Sequence, residues 1–568
     1  MSELAIYWVF AGAFLASMVA IGAYQFIGLR TVDDRGERAF DFWIGEGTVP
    51  GWWTAASLAA GWLLLGWMTW QMYLWYAYGL GAIWIFTIPW LLCTVGLLFV
   101  PKLFRRFPGV SIPEILRFRF NRMTQTLLGP VQSFAYLTWL AAEIYVLSAV
   151  LSKPLEVGIV TMAIIVSITF GIYVTMGGFR SVLRTDLIQF VCAAIMLVAL
   201  SVFGIMEAAA LSGGFGQIVA QINETPPVYA DHFWDWDSPG YSYMFAAVLI
   251  YTPGFITLQG AWQRVMATSD ETEAYKGMWW NVTFNVLIVV LMPTLIAIAA
   301  LVVFPPVGGE IPSAVGSYGY FIFSSMITEL FSNPIIAGAL IVALMGMALS
   351  SVDTYVNVCA MNLTKDVLEP LVFERYDVSG QARLNTGRAV TAGFIGISLL
   401  WAFEFPGLFD MYFLSSALIS ATTAVATFSA FSKKPTTLSA YLAIIFGTVG
   451  IFLFFFLGKY EMLGWLPTWL TNSGLAYGVI GLALSIIGIF VGIAFGTPPS
   501  DRVLARYDGS YYSGRREMYE LNQQLKQEEK EEREEAAAAP LPQGKAAAFH
   551  ASPRRCCPPT APPRKAPA

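Results

Sequence analysis

Thirteen long apolar runs constrain this chain of 568 residues more than any other feature. A helix needs about 20 apolar residues to cross a bilayer core about 30 Å thick, and the runs are close to that length. Only 12% of the residues are charged, against about 25% in soluble domains, which is too few to coat a water-soluble surface. We therefore predict an all-α polytopic membrane protein. Its spans lie roughly at 4–28, 50–74, 79–100, 124–152, 156–176, 183–210, 241–262, 277–304, 335–362, 388–404, 407–431, 437–457 and 472–496.

The distribution of lysine and arginine predicts the orientation of these spans. Basic residues accumulate on the cytoplasmic side of a membrane. If the N-terminus is outside and thirteen spans alternate, 31 of the 33 basic residues fall inside, and only Lys153 and Lys459 fall outside. The first span follows Ser2 and Glu3 without a basic stretch, which favours a retained span over a cleaved signal peptide. We expect a multi-pass protein of the plasma (inner) membrane with a cytoplasmic C-terminus.

Two of the predicted spans contain signals for a broken helix. Small residues and Gly61 lie in the middle of the second span, and Pro253-Gly254 lies in the seventh. These spans are five apart, and a repeat with an odd number of helices must be inverted in the membrane. The prediction is two inverted five-helix repeats, preceded by one helix and followed by two. The expected segments are 1–49 (first helix and loop), 50–210 and 211–432 (the repeats), 433–496 (two helices) and 497–568 (a cytoplasmic, largely disordered tail).

Hydroxyl side chains in the ninth span suggest a cation site. Ser350, Ser351 and Thr354 share one helical face with Met347 by the i, i+3, i+4, i+7 rule. Hard cations bind oxygen, and carbonyls from an unwound stretch near residue 56 could complete the shell. The alternative is that these small polar residues only pack helices together.

Other functional classes find little support in the sequence. No catalytic triad, zinc-protease motif or phosphate loop is present, so an enzyme is not expected. The net charge of −5 offers no basic patch for nucleic acid.

Four motifs in order along the chain resemble those of the sodium:solute symporter family. They are Gly177-Gly178-Phe-Arg-Ser181, Thr185-Asp186-x-x-Gln189, Gln263-Arg264 and Ser350-Ser351-x-Asp353-Thr354. The similarity extends over roughly residues 1–460, and it implies an inverted-repeat fold of the LeuT type.

The resemblance also implies the binding residues. It places Na⁺ on the carbonyls of Ala56, Ala59 and Met347 and the hydroxyls of Ser350 and Ser351. A second Na⁺ on Asp186, Asp353 and Thr354 is a further expectation, with a cytoplasmic gating hydrogen bond as the alternative role of Asp186. The implied solute site is lined by Ala60, Leu63, Trp139, Glu143, Phe255 and Tyr412.

The character of this solute site argues against a sugar. Leu63 and Trp139 stand where sugar- or acid-binding members of the family have amides or a cation. Glu143, one turn from Trp139, is a lone carboxylate among tryptophans and could attract a cationic or amine-bearing solute. Alternatively, Glu143 is protonated or is bonded to a neighbouring helix.

The resulting hypothesis is sodium-coupled symport of a small organic solute into the cell by alternating access, performed by a monomer in the lipid bilayer. Two alternatives stay open. One is a proton-coupled symporter in which Asp186, Asp353 or Glu143 carries the proton. The other is a membrane sensor that retains the transporter fold.

Overall fold

A computed structural model describes residues 2–30, 35–45, 47–99, 101, 107–404, 408–471, 475–508 and 515–538. Within these ranges the protein is helical, and no β-strand is present. The first half contains α1 (Glu3–Arg30), α2 (Arg35–Ile44), α3 (Gly51–Trp62), α4 (Leu65–Tyr78), α5 (Ile88–Gly96), α6 (Ile112–Arg119), α7 (Arg122–Ser152), α8 (Ile159–Gly177), α9 (Phe179–Ser212), α10 (Ile218–Glu224), α11 (Tyr241–Ile256) and α12 (Gln259–Met266).

The second half contains α13 (Glu271–Phe284), α14 (Met292–Val303), α15 (Ile322–Leu330), α16 (Pro334–Met361), α17 (Gly380–Glu404), α18 (Leu408–Phe431), α19 (Thr437–Lys459), α20 (Thr468–Thr471), α21 (Ala476–Phe495), α22 (Asp501–Asp508) and α23 (Arg515–Ala538). Three π-helical segments adjoin them, at Ile83–Thr87, Asn285–Leu291 and Asn362–Phe373.

The predicted count of thirteen spans is not confirmed by the helices themselves. Eleven described helices are long and apolar enough to cross a membrane, or up to twelve if one bent pair is counted as a span. That pair joins Leu65–Gly81 to Ile83–Phe99 through a bend of 118°. The second and third predicted spans account for the shortfall. The second is divided into two halves that are each shorter than a bilayer crossing, and the third is counted only as part of the bent pair.

Two helices form the interior of the bundle. Nearly all residues of α7 and α16 are buried, and the two helices pack against each other. By contrast, only 17% of the apolar window of α1 and 28% of that of α17 are buried, which is the pattern of helices that face lipid. The face that carries Ser350 and Ser351 therefore lies deep in the protein.

The helix breaks occur slightly later in the chain than the sequence suggests. The second span is unbroken helix around residue 56, so the expected unwinding there is wrong, and the break lies at Leu63–Leu64. In the seventh span Pro253 is inside α11, and the break follows one turn later at Thr257–Leu258. Each expected five-helix set nevertheless begins with a discontinuous helix, as the prediction required.

The chain divides into two compact units, Met1–Asn522 and Gln523–Ala568. In the second unit the described residues are helical through Ala538. Within the tail that was expected to be largely disordered, the described residues thus form helices at Asp501–Asp508 and Arg515–Ala538. The Ala- and Pro-rich residues beyond 538, which we expect to be disordered, lie outside the described residues.

Candidate functional site

The hydroxyl pair of α16 meets the end of α3 at the break. Ser350 Oγ donates to the Ala60 carbonyl at 2.8 Å, and Ser351 Oγ donates to the Gly61 carbonyl at 3.3 Å. All four residues are buried. Two stretches separated by 290 residues in sequence are thus in direct contact, as a shared ion site would require.

This contact collects neutral oxygens at the negative end of a helix dipole. The last carbonyls of a helix lack intrahelical partners and carry partial negative charge. The Leu63 N–H donates to the carbonyls of both Ala59 and Ala60, and Ser350 Oγ also donates to the Met347 carbonyl at 2.7 Å. The described residues contain no group of three or more His, Cys, Asp or Glu side chains that could hold a metal ion. No hydrogen bond joins Ala56 to either serine in the described structure.

A buried arginine organises the region expected to hold a second ion. Arg264 Nη2 lies 2.7 Å from Asp186 Oδ2 and 2.9 Å from Thr354 Oγ1, and its Nε donates to Ser57 at 2.8 Å. Ser57 in turn forms a short hydrogen bond with Asp186. Arg264 therefore contacts two of the three side chains proposed for that ion and balances the charge of Asp186.

The third side chain, Asp353, has different neighbours. Its Oδ2 accepts hydrogen bonds from Tyr173 at 2.8 Å and from Thr185 at 3.3 Å. The other carboxylate oxygens, Asp186 Oδ1 and Asp353 Oδ1, are buried and have no hydrogen-bond partner among the described residues. Two buried carboxylates with oxygens to spare are chemically suited to a second cation.

Glu143 caps the other side of the break in the second span. Its carboxylate accepts hydrogen bonds from the N–H groups of Leu65 at 3.0 Å and Gly66 at 3.2 Å, which are the first residues of α4. Tyr412 donates a third hydrogen bond at 2.5 Å. Glu143 is fully buried, and its carboxyl group faces the positive end of the α4 dipole. Of the sequence alternatives, bonding to a neighbouring helix is the one this geometry matches.

Most of the proposed solute-site residues converge around this break. The Ala60 carbonyl accepts a hydrogen bond from Ser350, and Leu63 is the first residue beyond α3. The Trp139 indole N–H donates to the Tyr412 carbonyl at 3.2 Å. Both aromatic residues are thereby held next to Glu143. The side chain of Phe255 lies outside the described part of the structure.

An aromatic box adjoins Tyr412. We define it as Trp67, Trp70, Tyr251 and Phe413. The ring of Trp67 lies 5.1 Å from Trp70, 5.3 Å from Tyr251 and 5.4 Å from Tyr412. Sequence reasoning did not identify this set, because no spacing rule links Trp67 to Tyr251 across the break.

The aromatic box borders a small cavity with unused polar atoms. Trp67 and Tyr251 both line a cavity of about 10 Å³, which is room for one water molecule. Trp67 is 2% exposed and Tyr251 is 4% exposed. Neither the Trp67 indole N–H nor the Tyr251 hydroxyl has a hydrogen-bond partner among the described residues. Buried polar atoms without partners are rare in proteins, and a bound water molecule or a ligand atom would satisfy these two.

A larger cavity lies on the side predicted to be outside. Its volume is about 850 Å³, and its lining includes Tyr73, Tyr229, Tyr318 and Glu310. The described lining contains no lysine or arginine. This vestibule is formed by α4 together with the long segments 211–240 and 305–334, which contain no basic residue.

Comparison with known proteins places this geometry in context. The family model described as "SSF: Sodium:solute symporter family" matches residues 42–447. The solved structure of a Na⁺-coupled sialic acid symporter in a substrate-bound outward-open state aligns with a TM-score of 0.71 and 20% sequence identity, and the alignment covers 87% of this chain and 98% of that one. A structure of MhsT in complex with L-phenylalanine aligns with a TM-score of 0.41 and 16% identity, and the alignment covers 81% of this chain and 99% of that one. No curated protein sequence matches the chain.

The family match includes every motif that carried the resemblance, from Gly177 to Thr354, and covers more than half of the chain. The overall fold agrees with that of the sialic acid symporter. The relatives are transporters, which fits the expectation of a protein that is not an enzyme. The chain is a multi-pass membrane protein that belongs to the sodium:solute symporter family.

Proposed function

We propose that this protein uses the sodium gradient to carry a small organic solute into the cell by alternating access. The observation that carries the proposal is the contact between Ser350 and Ser351 and the Ala60 and Gly61 carbonyls. A hydroxyl oxygen keeps acceptor lone pairs, and rotation of the hydroxyl turns them toward a cation. Neutral oxygens converging at a helix break in mid-membrane suit Na⁺, while a proton carrier needs no such cluster.

The proposed ligands are the carbonyls of Ala56, Ala59 and Met347 and the two serine hydroxyls. The carbonyls of Ala60 and Gly61 are added as candidates, because they are the ones that contact the hydroxyls. Since α3 and α16 belong to different expected repeats, an ion held by both would fix one repeat against the other. Release of the ion would allow the two repeats to move.

The membrane potential supplies part of the driving force. Inward movement of one charge down 100 mV releases about 2.3 kcal/mol. This alone supports roughly 50-fold accumulation, since about 1.4 kcal/mol corresponds to a factor of ten. A second Na⁺ near Asp186 and Asp353 would increase this limit. That ion would share Asp186 and Thr354 with Arg264, so we propose it only as an addition to the first.

The test is sodium binding and sodium-driven uptake by purified protein. Ligands that bind the folded state raise its apparent melting temperature. We expect Na⁺, but not K⁺, to stabilise the wild-type protein in detergent, and Ser351→Ala to shift the half-maximal Na⁺ concentration upward at least tenfold. The matched control is Ser398→Ala, because Ser398 is buried but donates within its own helix, to the Ile395 carbonyl at 2.9 Å.

Two outcomes would contradict the proposal. Equal stabilisation by Na⁺ and K⁺ would show that the protein has no site selective for sodium. Loss of expression of Ser351→Ala with unchanged sodium affinity in the remaining protein would mean that the serine pair serves only helix packing. Reconstituted vesicles with an imposed Na⁺ gradient then test uptake of candidate solutes, with K⁺ in place of Na⁺ as the control.

A further inference from the structure

The N-terminus of α4 is a place where an anion is expected, and the protein fills it with its own side chain. The free N–H groups of a discontinuous helix in mid-membrane attract negative charge. Here the N–H groups of Leu65 and Gly66 donate to Glu143, and Tyr412 adds a third hydrogen bond to the same carboxylate. A carboxylate on the solute would find these donors already used.

We infer that the solute is an organic cation without a carboxylate, and that Glu143 is the residue that determines this specificity. The inference rests on the proposed transport function, whose solute site lies at the same break. The partial positive charge of a helix N-terminus is about half an elementary charge, so it leaves part of the carboxylate charge uncompensated. The uncompensated negative charge on Glu143 attracts a cation bound nearby and repels an anion.

The aromatic box provides the complementary surface for such a cation. Tyr412 links the two, because it bonds Glu143 and its ring lies 5.4 Å from the ring of Trp67. Aromatic faces attract ammonium groups through their quadrupoles, most strongly when water is excluded. The Trp67 N–H has no partner among the described residues and can only donate a hydrogen bond, so it favours a ligand atom that accepts one.

The charge of the outer segments independently favours a cationic solute. Segments 211–240 and 305–334 hold six acidic residues and no lysine or arginine. Glu310 and three tyrosines line the outer vestibule. A negative entrance raises the local concentration of cations and their rate of arrival.

The expected size of the discrimination follows from Coulomb's law. A solute carboxylate about 8 Å from the uncompensated half of the Glu143 charge is repelled, at an effective dielectric constant of 20, by an amount equal to roughly sixfold in affinity. Matched pairs of compounds that differ by one carboxylate isolate this effect: choline against glycine betaine, tyramine against tyrosine, and ethanolamine against serine. Each has an oxygen acceptor for the Trp67 N–H.

The experiment measures the melting temperature of the full-length protein with each probe, in Na⁺ and in K⁺. We expect at least one pair to separate in Na⁺, with half-maximal stabilisation by the carboxylate-free member at a concentration lower by about fivefold or less. Glu143→Gln should reduce that separation below twofold. The control Glu520→Gln, which removes the same charge from an exposed position, should leave it unchanged.

A second measurement does not depend on finding the solute. Glu143→Ala removes the internal anion, so formate should raise the melting temperature of this variant and not that of the wild type. The inference is overturned if no pair separates, if carboxylate-bearing members bind equally well or better, or if formate fails to stabilise Glu143→Ala selectively. If Na⁺ alone still stabilises the protein in such a case, the inference about the solute has failed while the proposed sodium-coupled function stands.

Discussion

Gly66 occupies a position where the structure leaves no room for a side chain. A Cβ atom there would lie 2.7 Å from Tyr412 Cζ and 2.9 Å from Cε2, and closer still to the hydroxyl oxygen. Such distances are shorter than any normal carbon contact. In Gly66→Ala, Tyr412 must therefore move away and lose its 2.5 Å hydrogen bond to Glu143.

The sign of the effect depends on three contributions. Alanine is favoured over glycine inside a helix by about 1 kcal/mol. Overpacking a buried site costs about 1–3 kcal/mol, and losing a hydrogen bond to a charged group costs about 1.5–3 kcal/mol. The costs exceed the gain, and we expect Gly66→Ala to lower the free energy of unfolding by about 2–5 kcal/mol.

The assay is equilibrium unfolding in mixed micelles with increasing SDS, followed by tryptophan fluorescence. The matched control is Gly393→Ala, because a Cβ at Gly393 in α17 meets no atom within 4 Å. That control should be neutral or stabilised by up to about 1 kcal/mol. In a Tyr412→Phe background, the cost of Gly66→Ala should fall by about 1.5–3 kcal/mol, since the hydrogen bond is already absent. The reasoning is refuted if Gly66→Ala behaves like Gly393→Ala, or if its cost is the same in both backgrounds.

Two further variants test the packing around the site and at the periphery by the same unfolding assay. Arg264→Gln should lower the free energy of unfolding by about 3–5 kcal/mol, because it leaves the buried carboxylate of Asp186 without its partner. The control Arg516→Gln, at an exposed ion pair, should leave this free energy unchanged. Equal effects of the two variants would contradict the importance of the buried ion pair. Gly492→Ala should prevent α21 from packing on α19, because a Cβ at this position would overlap the backbone of Ser439. Normal expression and stability of this variant would show that the close packing of the two helices at Gly492 is wrong.

The sequence predicted that the second and seventh spans are broken, but not where. Pro253 lacks an N–H and was expected to end its helix, yet one missing hydrogen bond is tolerated inside α11. The break lies at Thr257–Leu258, where Thr257 bonds Thr423 at 2.5 Å and the Gln259 N–H donates to the Tyr136 hydroxyl at 2.8 Å. Those partners come from distant helices, and a local pattern cannot reveal them.

The motifs of the candidate site were visible in the sequence, while its partners were not. Ser350 and Ser351 stand out because hydroxyls on one face of a buried span are a local signal. The role of Glu143 was ambiguous, since a lone carboxylate in a span can face water, a ligand or another helix. Its assignment required the positions of Leu65 and Gly66, which only the location of the break defines.

The break between α3 and α4 presents opposite polarities within a few residues. The carbonyl end of α3 is partially negative and meets neutral hydroxyls, while the amide end of α4 is partially positive and meets a carboxylate. A free helix end of each sign would suit a sodium ion together with an anionic solute. Because Glu143 occupies the amide end, the carbonyl end and the aromatic box remain for ligands, and both favour positive charge. Two cations that enter together, each placed by one side of the same break, would make transport strongly dependent on the membrane potential.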